Sequence, residues 1–176
     1  MSLSRKEFLT QGVFSLGKML LPSQEPRKGT EARRLIRPPG FIPEKVGECG
    51  SCDQCRTVCP EGVITYLKEA AGPVMEFNSG GCRFCYLCVG ACPNGVLTFP
   101  GEECQPRLGR AGTAGGCIAS GGCFTCSERC PEGAIEIAWG SGVRIDPERC
   151  TGCGICESCC PVHPKAIRVE PLNTAL

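Results

Sequence analysis

The feature that most constrains this chain is a cysteine pattern that occurs four times. Its regular form is C-x2-C-x2-C-x3-C-P, and the four copies take up sixteen of the 18 cysteines. The third copy is longer, because five residues separate its first two cysteines. The four sets are Cys49, Cys52, Cys55 and Cys59; Cys82, Cys85, Cys88 and Cys92; Cys117, Cys123, Cys126 and Cys130; and Cys150, Cys153, Cys156 and Cys160. A chain with this pattern has to fold around the groups that its cysteines bind.

The spacing of these cysteines is typical of a [4Fe-4S] cluster site. A loop with a cysteine at every third position can offer thiolates to three irons of one cluster, and the fourth iron takes a more distant ligand. The proline after the fourth cysteine cannot continue a helix and has no N–H to donate, so it turns the chain away from the site. The sequence therefore predicts four [4Fe-4S] clusters and an electron carrier.

Two other uses of cysteine explain the pattern less well. Zinc sites also contain C-x2-C, but they combine two such pairs, separated by a longer spacer, into one tetrahedral set. A cysteine content near one tenth of a chain can also indicate a disulfide scaffold. Disulfides join distant segments, however, and bridges between close neighbours would add little stability. Clusters remain the better explanation.

The repeat continues beyond the cysteines into short strands. After each fourth cysteine, a turn leads into a short apolar segment that predicts a strand. These segments are Cys59–Tyr66, Cys92–Phe99, Cys130–Ile137 and, with two extra residues in its turn, Cys160–Val169. Val74–Phe77 and Val143–Asp146 alternate apolar and polar residues, as half-buried strands do. Each pair of motifs is therefore expected to form two cluster loops and a β-hairpin.

This organisation resembles the bacterial two-cluster ferredoxins twice over. The resemblance implies an α+β fold with two tandem, loop-rich ferredoxin-like domains, residues 46–99 and residues 116–176, the second with a C-terminal tail. Residues 100–115 have the composition of a connector. Residues 1–45 have the composition of a helix followed by a basic, proline-rich arm. With 6% aromatic residues, 24 Gly and 15 Pro, such small domains would have a marginal apolar core, so the clusters are expected to hold them together.

The resemblance also implies crossed ligands. In two-cluster ferredoxins the fourth cysteine of one motif binds the cluster of the other motif. Carried over to this chain, the ligands are Cys49, Cys52, Cys55 and Cys92 for cluster 1; Cys82, Cys85, Cys88 and Cys59 for cluster 2; Cys117, Cys123, Cys126 and Cys160 for cluster 3; and Cys150, Cys153, Cys156 and Cys130 for cluster 4. Electrons would pass between the neighbouring clusters of a domain and then across residues 100–115. Cys104 fits no motif, and Cys159 could replace Cys160, although only Cys160 directly precedes a proline.

The first 45 residues differ in charge from the rest of the chain. They hold nine Lys or Arg and four Glu, whereas the remainder holds ten basic and fourteen acidic residues. An acidic, cluster-bearing body suits docking to basic redox surfaces. The basic residues lack interleaved aromatic residues and any recognition motif, so nucleic acid is not an expected partner.

Residues 4–21 predict an amphipathic helix, in which Ser4 and Glu7 form a capping box. The apolar residues of one face are Leu9, Val13, Leu16 and Leu20. An isolated helix of this length is unstable in water, so we expect it to pack against a partner or a second copy of the chain. Its first residues resemble a twin-arginine export signal with Lys6 in place of the second arginine. The segment is too short to span a membrane, and we expect a cytoplasmic protein, with export to the periplasm as the alternative.

At a finer level, the chain resembles the ferredoxin-type proteins encoded with periplasmic nitrate reductases. The resemblance rests on the twin-arginine-like start, on Ile36-Arg37-Pro38-Pro39 before the first motif, on the four clusters and on the long third motif. A similar size and cluster content occurs in small polyferredoxin subunits of tungsten or molybdenum oxidoreductases, such as aldehyde oxidoreductase, and of aromatic-ring reductases. The implied partners are a catalytic molybdenum or tungsten enzyme and an electron donor or acceptor protein.

Three classes of function fit these features. They are an electron-transfer subunit, an accessory protein for the maturation of a molybdoenzyme such as nitrate reductase, and a scaffold whose clusters are structural. We expect the first, because four linked clusters are more than folding requires. Catalysis by this chain is not expected, since four thiolates per cluster leave no iron open to a substrate and the sequence has no candidate nucleophile, general base or nucleotide loop.

Overall fold

The computed structural model describes residues 35–101, 106–138, 140 and 142–172, and these residues belong to one compact unit. The predicted N-terminal helix, the basic arm as far as residue 34, and Cys104 lie outside the described residues. No helix in the described part of the chain is long and apolar enough to cross a membrane.

The four α-helices among the described residues are single turns that carry the third cysteine of a motif. They are α1 (Gln54–Thr57), α2 (Leu87–Gly90), α3 (Thr125–Arg129) and α4 (Ile155–Ser158), and two 3₁₀ segments, Pro43–Cys49 and Ala119–Gly121, precede α1 and α3. Each α-helix is short because the fourth cysteine and its proline follow at once, and proline cannot continue a helix. The helices thus position the cysteine loops and add little core of their own.

In the part of the chain that the structure describes, six short strands form three antiparallel pairs. The strands are β1 (Ile64–Tyr66), β2 (Pro73–Met75), β3 (Gly109–Thr113), β4 (Ile135–Ala138), β5 (Gly142–Ile145) and β6 (Ile167–Pro171). Strand β1 pairs with β2, with Ile64 opposite Met75, and β4 pairs with β5, with Ile135 opposite Ile145. These two hairpins lie where the segments after the first and third motifs and the two alternating segments predict strands.

The third pair joins β3 to β6, and β3 lies inside the segment expected to be a connector. Gly109 is opposite Pro171, and Thr113 is opposite Ile167. The sequence of β3, Gly-Arg-Ala-Gly-Thr, has little intrinsic preference for a strand, so its pairing with β6 decides its structure. The connector prediction therefore missed an element that belongs to the second half of the fold.

The first half contains an equivalent pairing, although it is not a regular strand. The segment after the second motif forms a bridge between Leu97 and Phe41, and the Thr98 N–H donates to the Gly40 carbonyl over 2.9 Å. Ile36 is buried and bridges Met75 on β2. Residues 36–42 therefore pack onto the first half, although they precede residue 46, where the first domain was predicted to begin. That domain boundary stays a prediction.

The core is a single apolar cluster that includes residues of both halves and several of the motif cysteines. Among its members, Ala134 is 1% exposed, and Val63 and Ala166 are each 2% exposed. No polar or charged residue in the described part of the chain is fully buried. In a chain of this size, a core in which motif cysteines stand among the apolar side chains provides limited apolar burial. The groups bound by the cysteines are therefore expected to contribute much of the stability.

Candidate iron–sulfur sites

Two cavities each bring together four cysteines from two different motifs. The first is lined by Cys59, Cys82, Cys85 and Cys88. The second is lined by Cys130, Cys150, Cys153 and Cys156. These groups are the ligand sets that the crossed assignment predicts for clusters 2 and 4, and the two cavities are called site 2 and site 4 below. Site 1 and site 3 denote the other two predicted ligand sets.

The donor chemistry at these sites fits an iron–sulfur cluster. Each of the two cavities offers four cysteine sulfurs, with apolar side chains such as Val63 and Met75 around site 2 and Ala111 and Ile135 around site 4. In the described part of the chain, no three Cys, His, Asp or Glu side chains converge closely enough to hold a single metal ion. Four cysteines around one cavity match the four thiolate ligands that a [4Fe-4S] cluster takes. Occupancy of all four sites stays a prediction.

Backbone amides point at several of the cysteine sulfurs. The donors lie 3.3 to 3.4 Å from the sulfurs: Phe84 N to Cys82, Leu97 N to Cys92, Ala134 N to Cys130, and Ala111 N to Cys150. An N–H that donates to sulfur stabilises the thiolate and also the extra negative charge of a reduced cluster. The last amide belongs to β3, which gives the missed strand a role in the electrostatics of site 4.

The loops of sites 2 and 4 share one backbone conformation, but different residue types adopt it in the two loops. Two residues after the first cysteine and one after the second, the chain is left-handed in both loops. In site 4 these positions are Gly152 and Gly154, with φ of 68° and 81°, whereas in site 2 they are Phe84 and Tyr86, with φ of 53° and 57°. Left-handed φ is easy for glycine and strained for aromatic residues. The sequence could not predict this, because only the glycines signal such a turn.

Burial raises the pKa of many motif cysteines. It raises the pKa of Cys82 to about 12, and those of Cys88 and Cys126 to about 11, with nearby thiolates adding to the effect. The pKa of Cys156 is raised further still, by burial first and then by the charges of Cys153 and Cys150. Without a bound cation these thiols are therefore neutral at pH 7. Binding of iron must displace their protons, which couples cluster assembly to proton release.

Tyr66 is a candidate site residue that the sequence argument missed. Its hydroxyl donates to the Cys52 carbonyl over 2.8 Å and lies 3.2 Å from the Cys55 sulfur of site 1. Burial, followed by the bond to Cys55, raises the pKa of Tyr66 well above its usual value, so the hydroxyl keeps its proton. Once Cys55 is a thiolate, only the tyrosine can donate. No sequence signal distinguishes Tyr66 from the other residues of β1.

The last two motifs bring Cys159 close to site 3. The Cys159 sulfur lies 3.9 Å from the Thr125 carbonyl on α3, next to Cys126, and 3.5 Å from the Cys156 carbonyl. Cys160, the predicted ligand, is buried, whereas Cys159 is half-buried. The choice between them as the fourth ligand of site 3 stays a prediction.

Polar side chains connect α4 and the residues after it with Lys165 and strand β6. Glu157 accepts a hydrogen bond from Val169 N on β6 over 2.7 Å. The Lys165 ammonium donates to the Ser158 and Cys160 carbonyls over 3.1 and 2.8 Å. These contacts hold the long turn after the fourth motif, which contains the exposed His163. The sequence argument named neither Glu157 nor Lys165, because a charged residue usually faces solvent.

Comparison with known families agrees with these sites. A family model described as "4Fe-4S dicluster domain" matches residues 48–96, and one described as "4Fe-4S binding domain" matches residues 143–167. The matches cover the first, second and fourth motifs, and the third motif lies between them. Together with the four-cysteine cavities, they define a ferredoxin-type iron–sulfur protein that transfers electrons.

The chain belongs to the same family as an uncharacterized protein of Haemophilus influenzae. The two are 33% identical over 136 residues, which are 76% of this chain and 78% of that protein. An uncharacterized ferredoxin of Methanocaldococcus jannaschii is 41% identical over 49 residues, 28% of this chain and 76% of the ferredoxin. One subunit of the ion-translocating oxidoreductase complex of Methanosarcina acetivorans is 44% identical over 55 residues, 31% of this chain and only 19% of that protein. No solved structure matches the chain.

Proposed function

We propose that this protein relays single electrons through four [4Fe-4S] clusters between a redox donor and a catalytic oxidoreductase. The observation that carries the proposal is a pair of cavities. Each cavity is lined by four cysteines, three from one motif and one from another. The other eight predicted ligands repeat the same crossed pattern in sites 1 and 3. When bound, such clusters supply reversible one-electron chemistry, and the chain holds, shields and tunes them.

The residues around the sites suit electron transfer better than catalysis. Four cysteines per site leave no iron position for a substrate, so we propose that the chain is not itself an enzyme. Apolar side chains such as Met75 exclude water from the sites, which lowers the potential, while the amide N–H donors raise it. The chain can thus set the potential of each site through burial and hydrogen bonding.

The partner that we propose is a multi-subunit oxidoreductase, with a molybdenum or tungsten enzyme as the first candidate. The resemblance to ferredoxin-type proteins of nitrate reductase systems and to polyferredoxin subunits supports this choice. The similarity to one component of an ion-translocating oxidoreductase complex supports the broader idea of a role within such a complex. Several large apolar side chains are exposed near the predicted sites and could contact a partner: Leu87, Phe99, Ile118 and Phe124.

Purification of the native protein without oxygen tests the proposal. The holo-protein should accept electrons from dithionite, pass them to the enzyme that copurifies with it, and remain in the active complex. A protein that is needed only while the cofactor of a molybdoenzyme is inserted, and is absent from the active complex, would instead be a maturation factor. Clusters that take up no electrons would make the sites structural. Cell fractionation of the same culture tests the proposed cytoplasmic location.

A further inference from the structure

The two halves of the fold meet at sites 2 and 4. The Cys82 N–H donates to the Cys153 carbonyl over 2.7 Å. Both residues line a cavity, Cys82 that of site 2 and Cys153 that of site 4. One backbone hydrogen bond therefore connects a predicted ligand of one half to a predicted ligand of the other.

Two glycines allow this close approach. A Cβ on Gly81 would lie 2.6 Å from the Ile155 nitrogen and 2.8 Å from the Cys153 carbonyl oxygen. A Cβ on Gly154 would overlap the ring of Phe77, which is only 4% exposed. Neither a side chain nor a layer of water fits between the two loops at this point. The contact is therefore dry and short.

Within each half, the helices that carry the third cysteines pack against each other. Helix α1, with Cys55, contacts α2, with Cys88, and helix α3, with Cys126, contacts α4, with Cys156. Site 1 therefore neighbours site 2, and site 3 neighbours site 4. The segment between the halves offers no comparable route, because β3 pairs with β6 and so belongs to the second half.

We propose that the four sites form a linear relay in the order 1, 2, 4, 3, with the Cys82–Cys153 hydrogen bond as the crossing between the halves. This order rests on the proposed function, and it replaces the expected route across residues 100–115. Each transfer moves one electron, so the giving site is oxidised by one electron and the receiving site is reduced by one, with no bond made or broken. A one-electron reductant supplies the first electron at one end, and an oxidised partner takes it at the other. Sites 1 and 3 are then the ends at which partners exchange electrons.

Magnetic interaction between reduced clusters tests this order directly. The holo-protein is reduced with dithionite, and its electron paramagnetic resonance spectrum is compared with those of variants that each lack one site. Without site 4, in the double variant C150A/C156A, site 3 should lose its interaction broadening and give a simple spectrum, while sites 1 and 2 stay coupled. Without site 1, in C49A/C52A, sites 2, 4 and 3 should all remain coupled. A site 3 that stays coupled in C150A/C156A would overturn the order.

A second pair of variants keeps every ligand in place. Gly81→Ala forces the two loops apart and should reduce the interaction between sites 2 and 4 while the iron content is retained. Gly112→Ala is the matched control, since a Cβ there meets nothing within 4 Å, and it should leave the spectrum unchanged. A Gly81→Ala spectrum identical to the native one would overturn the crossing. Coupling in another order defeats only this inference, whereas clusters that dithionite cannot reduce defeat the proposed function as well.

Discussion

The hydroxyl of Tyr66 should set the potential of site 1. It lies 3.2 Å from the Cys55 sulfur and also donates to the Cys52 carbonyl over 2.8 Å. Reduction adds negative charge to the cluster and its sulfurs, so a donor to sulfur stabilises the reduced form more than the oxidised form. Tyr66→Phe removes this donor and should lower the potential.

The size of the effect follows from the geometry. A hydrogen bond to a charged group is worth about 1.5–3 kcal/mol in a protein, but only the part that changes on reduction alters the potential. The hydroxyl shares its one proton between the sulfur and the carbonyl. We therefore take the change in hydrogen-bond free energy on reduction as about 0.5–1 kcal/mol. Because a tenfold change in a one-electron equilibrium corresponds to about 59 mV, the potential of site 1 should fall by about 20–45 mV.

A redox titration followed by electron paramagnetic resonance measures this shift. One of the cluster signals should titrate at a lower potential in Tyr66→Phe, and the others should be unchanged. The shift should be the same at pH 6 and pH 9, because burial holds the pKa of Tyr66 well above this range and the hydroxyl stays protonated. Tyr86→Phe, which removes a hydroxyl from the site 2 loop, is the matched control. A Tyr66→Phe potential equal to that of the native protein would refute the reasoning.

Three further predictions follow from the ligand sets and their surroundings. Cys92→Ala should lose the same cluster signal as Cys52→Ala and keep the one lost in Cys85→Ala; Mössbauer spectra that group Cys92→Ala with Cys85→Ala would contradict the crossed assignment. Reconstitution of chelated protein with iron and sulfide at pH 7 should release about one proton per ligand thiol in addition to the protons that H2S and HS− lose, because burial raises pKa values such as that of Cys82 to about 12. A pH-stat that records only the protons released by the sulfide would exclude this coupling. Glu157→Ala should lower the free energy of unfolding by about 1–3 kcal/mol, because Val169 N loses its acceptor, whereas Glu157→Gln keeps one; equal stability of the two variants in a denaturant titration would count against that role.

The sequence predicted the parts of the fold that cysteine spacing and alternation encode. Strands β2 and β5 lie at the alternating segments, and Cys59 and Cys130 reach the cavities of the partner motifs as the crossed rule implies. These features are local or follow from a motif that repeats, so one chain carries enough information to predict them. The ligand sets themselves stay predictions until iron is measured.

The rest depends on contacts between segments far apart in the chain. Strand β3 has no strand-like sequence and exists because β6 pairs with it. The hydroxyl of Tyr66 reaches Cys52 only once β1 packs beside α1, and the amide of Cys82 meets Cys153 across 71 positions of the chain. Sequence patterns describe single elements, whereas these contacts arise from the packing of several elements, and the residues involved carry no signal of their own.

Iron content combined with reductive titration tests the central claim most directly. Anaerobically purified protein that carries four cubanes should contain about sixteen irons per chain and take up about four electrons, one for each site. A protein that contains about eight irons, or one whose clusters take up no electrons, would contradict a four-cluster relay.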